Sequence, residues 1–263
     1  MNDWEFRPYV PVATRRARGE QKVWKLLRAA KRAPAPVTIA GRQMARTFWG
    51  RAWCENLERY SDFANRLPRG RTYARNGSLL DVHVAPGVVS AYVAGSELYA
   101  VRIAIARLPK ARWKAVIAAC SGRIGSLIAL LGGELSDEVL AVLTDAKQGL
   151  FPAPREITMT CSCPDWAGMC KHVAATLYGV GARLDERPDL FFTLRQVAQA
   201  ELVASAGAAD VLGAAGARKQ GTGRKRIAAG DLEAVFGIEL DGAVVAPTGG
   251  RRRQRRGTPS RPG

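Results

Sequence analysis

Long apolar runs are missing from this chain of 263 residues. The most apolar region, residues 113–133, is interrupted by Lys114 and Arg123, and the alanine-rich stretch 202–217 contains Asp210. Neither offers the roughly 20 consecutive apolar residues that a helix needs to cross a bilayer. The opening residues, MNDWEFRPYV, place no apolar stretch behind a basic start, so no secretory leader is expected. Histidine is nearly absent, with two residues, and cysteine is sparse, with five. So few cysteines without a leader argue for a reducing compartment and against a disulfide framework. No Ser-His-acid set, paired-carboxylate motif, Walker loop or dinucleotide-binding glycine fingerprint stands out. The expectation is a soluble, cytoplasmic protein that is not an enzyme.

Acidic residues are also in short supply. Against 40 Lys and Arg stand 23 Asp and Glu, for a formal charge of +17. The excess sits in the ends: residues 1–32 carry +6 and residues 218–263 carry +7, which leaves +4 for everything between. A domain with two cationic arms suits a phosphate backbone, by charge neutralisation and counterion release. Tails that merely fill with arginine, alanine and glycine give the same pattern, so charge alone leaves both readings open. Hydrophobic residues make up 47%, an ordinary value, but part of this is alanine, so the core should lean on aromatic and branched side chains.

Residues 1–36 read as a basic arm with one helix over 21–31. The segment TFWGRAWCENLERY then sets Trp49, Trp53, Leu57 and Tyr60 on one helical face, and their expected role is core packing. From Arg71 to Arg107 the period changes to two: Leu80, Val82 and Val84 alternate with Asp81 and His83, and Tyr99, Val101, Ile103 and Ile105 follow beyond an Ala85-Pro86-Gly87 turn. This predicts an antiparallel meander with one wet face. Helices are expected from Pro109 to Cys120, over 124–131, and from Ser136 to about Ala146, with Cys54 and Cys120 in helix packing. The linker 151–154 leads into a strand over 157–161, and helices are expected over 171–182 and 189–206. Beyond Gly207 the chain is too rich in Gly, Ala, Arg and Pro to fold, apart from a short helix over 231–236.

The string CSCPDWAGMCKH holds three of the five cysteines and one of the two histidines within twelve residues. In a strand, residues two apart face the same side, so Cys161 and Cys163 can both address one ion. The intervening PDWAGM can turn the chain back and present Cys170 just before a helix and His172 in its first turn. Three thiolates and an imidazole suit one zinc ion, which prefers tetrahedral sulfur and nitrogen donors. Four protein ligands leave no position for a reacting water, so the ion is expected to be structural. Lys171 is placed to offset the net negative charge of such a centre, Asp165 to accept a hydrogen bond from the second ring nitrogen of His172, and Trp166 to pack against the site.

The pattern Cys161-x-Cys163, six residues, Cys170-x-His172 resembles the SWIM zinc finger, and the fuller CSCPDW…CKHVAATLY is similar to the form seen in bacterial SWIM-finger proteins. FWGRAWCENLE, ANRLPRGRTYARNGSLLDVHVAPGVVSAYVAGS and DLEAVFGIELD also resemble segments of those proteins, so the likeness runs over roughly residues 45–240. It implies zinc binding and a role in DNA binding or protein interaction, often beside a Swi/Snf-type helicase, in a bacterial cell and near the nucleoid. The finger also occurs in Mutator-like transposases, but this chain is short and shows no catalytic-acid domain. The expected fold is therefore α+β: a β-meander with flanking helices and a SWIM-type strand-turn-helix finger between disordered basic termini. Its divisions fall at 1–36, 37–150, 151–206 and 207–263.

The ordered stretch best suited to nucleic acid, DNA before RNA, is RLPRGRTYAR, where Arg66, Arg69, Arg71 and Arg75 surround Tyr73 and Gly70 allows close backbone approach. The same residues also read as a solvated loop leading into a strand. Lys171 joins this set, and His83 and Arg102, on the wet face of the meander, extend it. Arg251, Arg252, Arg253, Arg255 and Arg256 form a cationic tail able to hold polyanions without reading sequence. The leading expectation is a zinc-binding accessory protein of nucleic-acid transactions. Its rival is an adaptor that docks on a Swi/Snf-type helicase without touching nucleic acid.

Overall fold

A computed structural model describes residues 10–59 and 65–204. The expected meander is present in it. β1 (Leu79–Ala85), β2 (Val88–Ala94) and β3 (Leu98–Ile105) pair antiparallel in succession, and β4 (Ile157–Cys161) joins the free edge of β3, giving the order β1-β2-β3-β4. Alternation accounts for the inner face, where Val82, Val89, Ala91, Val93, Val101, Ile103 and Ile105 are buried. Pro86 and Gly87 close the first hairpin between the paired Ala85 and Val88. The strand expected to serve the finger is thus the fourth member of the main sheet, with Cys161 opposite Val101.

α7 (Lys171–Glu186) crosses that inner face and is buried continuously from His172 to Gly181 and again at Leu184. It runs beyond the expected 171–182 because Leu184 still reaches the core. α2 (Phe48–Glu58) and α3 (Leu67–Arg75) pack on α7, and α8 (Asp189–Arg195) contacts β1. The stripe Trp49, Trp53 and Leu57 is buried as its spacing predicts. Each indole N–H finds a carbonyl: Trp49 donates to Leu130 at 2.9 Å and Trp53 to Leu177 at 2.8 Å, so neither is desolvated without compensation. Tyr60 lies outside the described residues. Cys54 and Cys120 are buried in helix packing, and burial pushes the Cys54 thiol up to about 12, which leaves it inert.

α4 (Lys110–Cys120), α5 (Leu127–Gly132) and α6 (Asp137–Thr144) occupy the excursion between β3 and β4. Ser126 and Ser136 cap the last two by accepting N–H groups of Ala129 and Val139. The helix expected over 189–206 is broken, because Gln196 takes a left-handed φ of 56° after α8 and helix resumes only at 199–204.

Two expectations are corrected on the outer face. The segment read as a basic arm with one helix over 21–31 carries a longer helix that starts earlier, α1 (Val12–Ala29), and this helix docks on the sheet. Gly19, Val23 and Leu27, four residues apart, make a stripe too narrow to stand out in an arginine-rich sequence. They meet Leu80, Ala94, Tyr92 and Leu98. The second correction is Asp81, expected on a wet face but only 1% exposed. A bulge between Leu79 and Asp81 turns Leu80 outward under α1, while Leu79 takes the inner position. Asp81 then receives the Arg32 guanidinium on both oxygens at 2.8 and 2.6 Å and the Ala35 N–H at 2.9 Å. Alternation puts Asp81 on the outer face, where it is; it is buried there because Arg32 and Ala35 lie over it, a cover that the spacing within β1 does not report.

The chain divides into two units, Met1–Ala217 and Arg218–Gly263, and the described residues all belong to the first. The expected helix over 231–236 and the arginines 251–253, 255 and 256 lie outside them.

The Arg32–Asp81 pair carries a direct test. Arg32→Ala leaves a buried carboxylate with one backbone donor and should cost about 3 kcal/mol in chemical denaturation. Replacing both, as Arg32→Ala with Asp81→Leu, should recover most of that loss; a single variant as stable as the parent would show that the pair contributes nothing.

Candidate metal centre

Cys161 closes β4, Cys163 stands two residues on, Cys170 is the residue before α7, and His172 sits in the first turn of that helix. Local sequence explains how the four come together. Strand alternation puts the first two sulfurs on one side, and Ser162 extends the sheet by exchanging hydrogen bonds with Ala100: its N–H donates at 3.0 Å and its Oγ accepts at 2.9 Å. Pro164 to Met169 then reverse the chain. Met169, not Trp166, is the loop residue that enters the core, at 2% exposure.

The three Sγ atoms and the imidazole nitrogen all lie within 4.8 Å of one another. Nδ1 of His172 is 3.8 Å from the sulfurs of both Cys161 and Cys170. A tetrahedral ion with sulfur ligands at about 2.3 Å and nitrogen at about 2.0 Å sets S···N near 3.5 Å and S···S near 3.8 Å, so modest contraction completes the site. Cys170 and His172 are buried, whereas Cys161 and Cys163 are half-buried at the rim.

Electrostatics favour a cation here. The Cys170 thiol is pulled down, first by the hydrogen bond with Cys161, then by His172 and the Val173 N–H at the start of α7. Cys161 is pushed up as the partner that retains the proton, with burial adding to the effect. A dication replaces that shared proton and lets all three sulfurs ionise. The residues therefore fit one bound metal ion, with soft sulfur donors, an imidazole and no ligand position left over.

The histidine is held by rings. Tyr99 stacks on it with centroids 4.2 Å apart, and Tyr73 meets it edge-on at 5.3 Å. Nε2 is buried without a hydrogen-bond partner, and a Cβ on Gly95 would lie 3.1 Å from it and 2.6 Å from Tyr99, so only glycine leaves room. Tyr99 was legible as a core-facing strand residue, but nothing in the spacing of Tyr99 and Gly95 pointed to His172.

Two expected neighbours are elsewhere. Asp165 does not reach His172; its Oδ1 accepts the Ala167 N–H at 3.2 Å and faces Arg66 at 3.5 Å. Trp166, expected to pack against the site, is 94% exposed. The bend made by Asp165 over Ala167 turns the indole out of the fold.

The arginine stretch is helix α3 rather than a loop. Gly70 faces α7, where a Cβ would come within 2.5 Å of Ala174, so its role is helix packing and not ligand approach. Arg71 is half-buried and already partnered, donating to Glu58 at 2.7 Å and to the Tyr178 hydroxyl at 2.9 Å. Arg75 donates to the Arg42 carbonyl. Arg66 is half-buried toward Asp165, Arg69 is exposed, and the Lys171 ammonium lies 5.9 Å from the Tyr73 ring centre. His83 and Arg102 are exposed as expected, in register through Ser90.

No family model matches this chain, and no solved structure matches it. Among known proteins it is similar to Uncharacterized protein Rv2102 of Mycobacterium tuberculosis, at 36% identity over 175 residues, which span 65% of this chain and 63% of that protein. That name assigns no activity, and neither it nor any family match names the SWIM finger. The cluster itself is a Cys3His set compatible with a zinc finger.

Elemental analysis of the purified, unchelated protein should find one metal ion per chain. His172→Ala should lose it and open residues 157–182 to limited proteolysis. Full occupancy and unchanged protection in that variant would remove His172 from the ligand set.

Proposed function

We propose that the chain is a SWIM-type zinc-finger protein that binds nucleic acid, DNA in the first instance, and that its zinc ion is structural. Zinc fits because three thiolates and one imidazole at near-tetrahedral spacing are its preferred closed donor set, and zinc brings no redox chemistry to a thiol-rich site. When bound, the ion supplies cross-linking and no reaction. Cys161 and Cys163 hold the edge of the sheet, while Cys170 and His172 hold the start of α7. The reading assigns no enzymatic role, since a four-ligand centre offers no open position to a substrate.

One observation carries the nucleic-acid part. The loop between Cys163 and Cys170 stands at a surface where Trp166 and Arg69 are exposed and Lys171 lies nearby, in a chain of charge +17. A rigid knuckle among cations is suited to a phosphate backbone, with the cationic ends adding affinity that carries no sequence information. Binding would take place without a helicase, although a Swi/Snf-type partner remains compatible with the resemblance.

Affinity for duplex DNA should fall steeply with salt. In the 263-residue chain, glutamine at positions 251, 252, 253, 255 and 256 should reduce the slope of log K against log salt by up to about 4. Salt-independent binding, or none to any nucleic acid, would overturn the proposal and favour the adaptor reading; recovery of a helicase after nuclease treatment would then support that alternative.

A further inference from the structure

We infer that Trp166 is a stacking platform for an unpaired base, so that the finger knuckle prefers single-stranded nucleic acid; this rests on the nucleic-acid reading above. Tryptophan is among the side chains most buried on average, yet Trp166 is 94% exposed on a loop whose neighbours Met169 and Cys170 are sealed in the core. Other large exposed apolar side chains among the described residues are Trp24 and Leu26 on α1 and Ile128 on α5, and none of them is on the knuckle. The indole therefore stands alone and is not part of an apolar patch of the kind that anchors a protein partner.

The surroundings supply charge instead. Asp165, beside the tryptophan, faces Arg66, which stands at the head of α3. Arg69 and Tyr73 follow at three and seven residues, on the same side of that helix, and Lys171 lies over Tyr73. The result is a ridge of one indole followed by guanidinium, phenol and ammonium groups. Arg66 is partly neutralised by Asp165, which leaves Arg69 and Lys171 to meet phosphates.

The tryptophan is also presented on a loop of preset shape. Its ends are metal-ligand residues Cys163 and Cys170, and its bend is tied by Asp165 to the Ala167 N–H at 3.2 Å. Little conformational freedom is left to lose on binding. An indole offers two broad faces and a single donor, which is poor equipment for reading base edges in a groove and good equipment for stacking. Base faces are available in a single strand and hidden in a duplex.

The test compares the metal-loaded full chain with Trp166→Ala and Trp166→Phe, using a fluorescein-labelled oligothymidylate and a duplex of matched length. Exposure of the side chain means that neither substitution should alter folding or metal content. Trp166→Ala should weaken single-strand binding on the order of ten-fold and leave duplex binding unchanged, while Trp166→Phe should keep most of the affinity. Unchanged single-strand affinity in Trp166→Ala, or an equal loss on both ligands, would overturn the stacking role while the nucleic-acid reading stands. Failure of the parent chain to bind either ligand would overturn both.

Discussion

Three sulfur atoms and one imidazole nitrogen converge where the last strand of the sheet ends and the most buried helix begins. Thiols and a desolvated ring nitrogen make weak partners for one another, so without an ion the two elements meet there through the packing of Met169, Cys170 and Val173 against the core that Met159 and Cys161 border. Without an ion the group shares protons, with Cys170 drawn toward the thiolate and Cys161 away from it. With an ion the same atoms become a cross-link between sheet and helix. Much else in the fold follows from that point, since α7 is the surface on which α2, α3 and the inner face of the sheet assemble.

The centre is built by residues with no ligand role as much as by the ligands. Tyr99 and Tyr73 fix the imidazole plane from two sides, and Gly95 leaves the space that the ring occupies. Ser162 keeps β4 paired beyond its last regular bond, which holds the first two cysteines in strand geometry. The outcome is a stiff support with its reactive atoms turned inward and its loop turned outward. Such a support is suited to presenting a side chain in one orientation, which is how the exposed Trp166 gains meaning.

Charge is distributed on the same division of labour. Several arginines are engaged by partners within the protein: Arg71, one of the expected nucleic-acid contacts, by Glu58 and Tyr178, Arg32 by Asp81, and fully buried Arg195 by the Ala106 carbonyl and Glu156. Arg69, Arg102 and Lys171 retain access to solvent. A count of basic residues therefore overstates the cationic surface, because arginine serves equally well as a bridge between buried acceptors.

Short-range order was written in the chain and could be read from it. Period-two alternation placed the meander, four-residue spacing placed Trp49, Trp53 and Leu57, and the spacing of Cys161, Cys163, Cys170 and His172 marked one cluster, because each of these depends only on where a regular backbone points its side chains. Other features depended on contacts between distant segments. The bulge that turns Leu80 outward, the cover of Arg32 and Ala35 over Asp81, the docking of α1 through a narrow stripe of three residues, the ring stack on His172 and the outward turn of Trp166 each arise when one surface meets another. Periodicity reports the direction of a side chain relative to its own element; only the assembled fold decides whether that direction leads to solvent, to a partner or into the core.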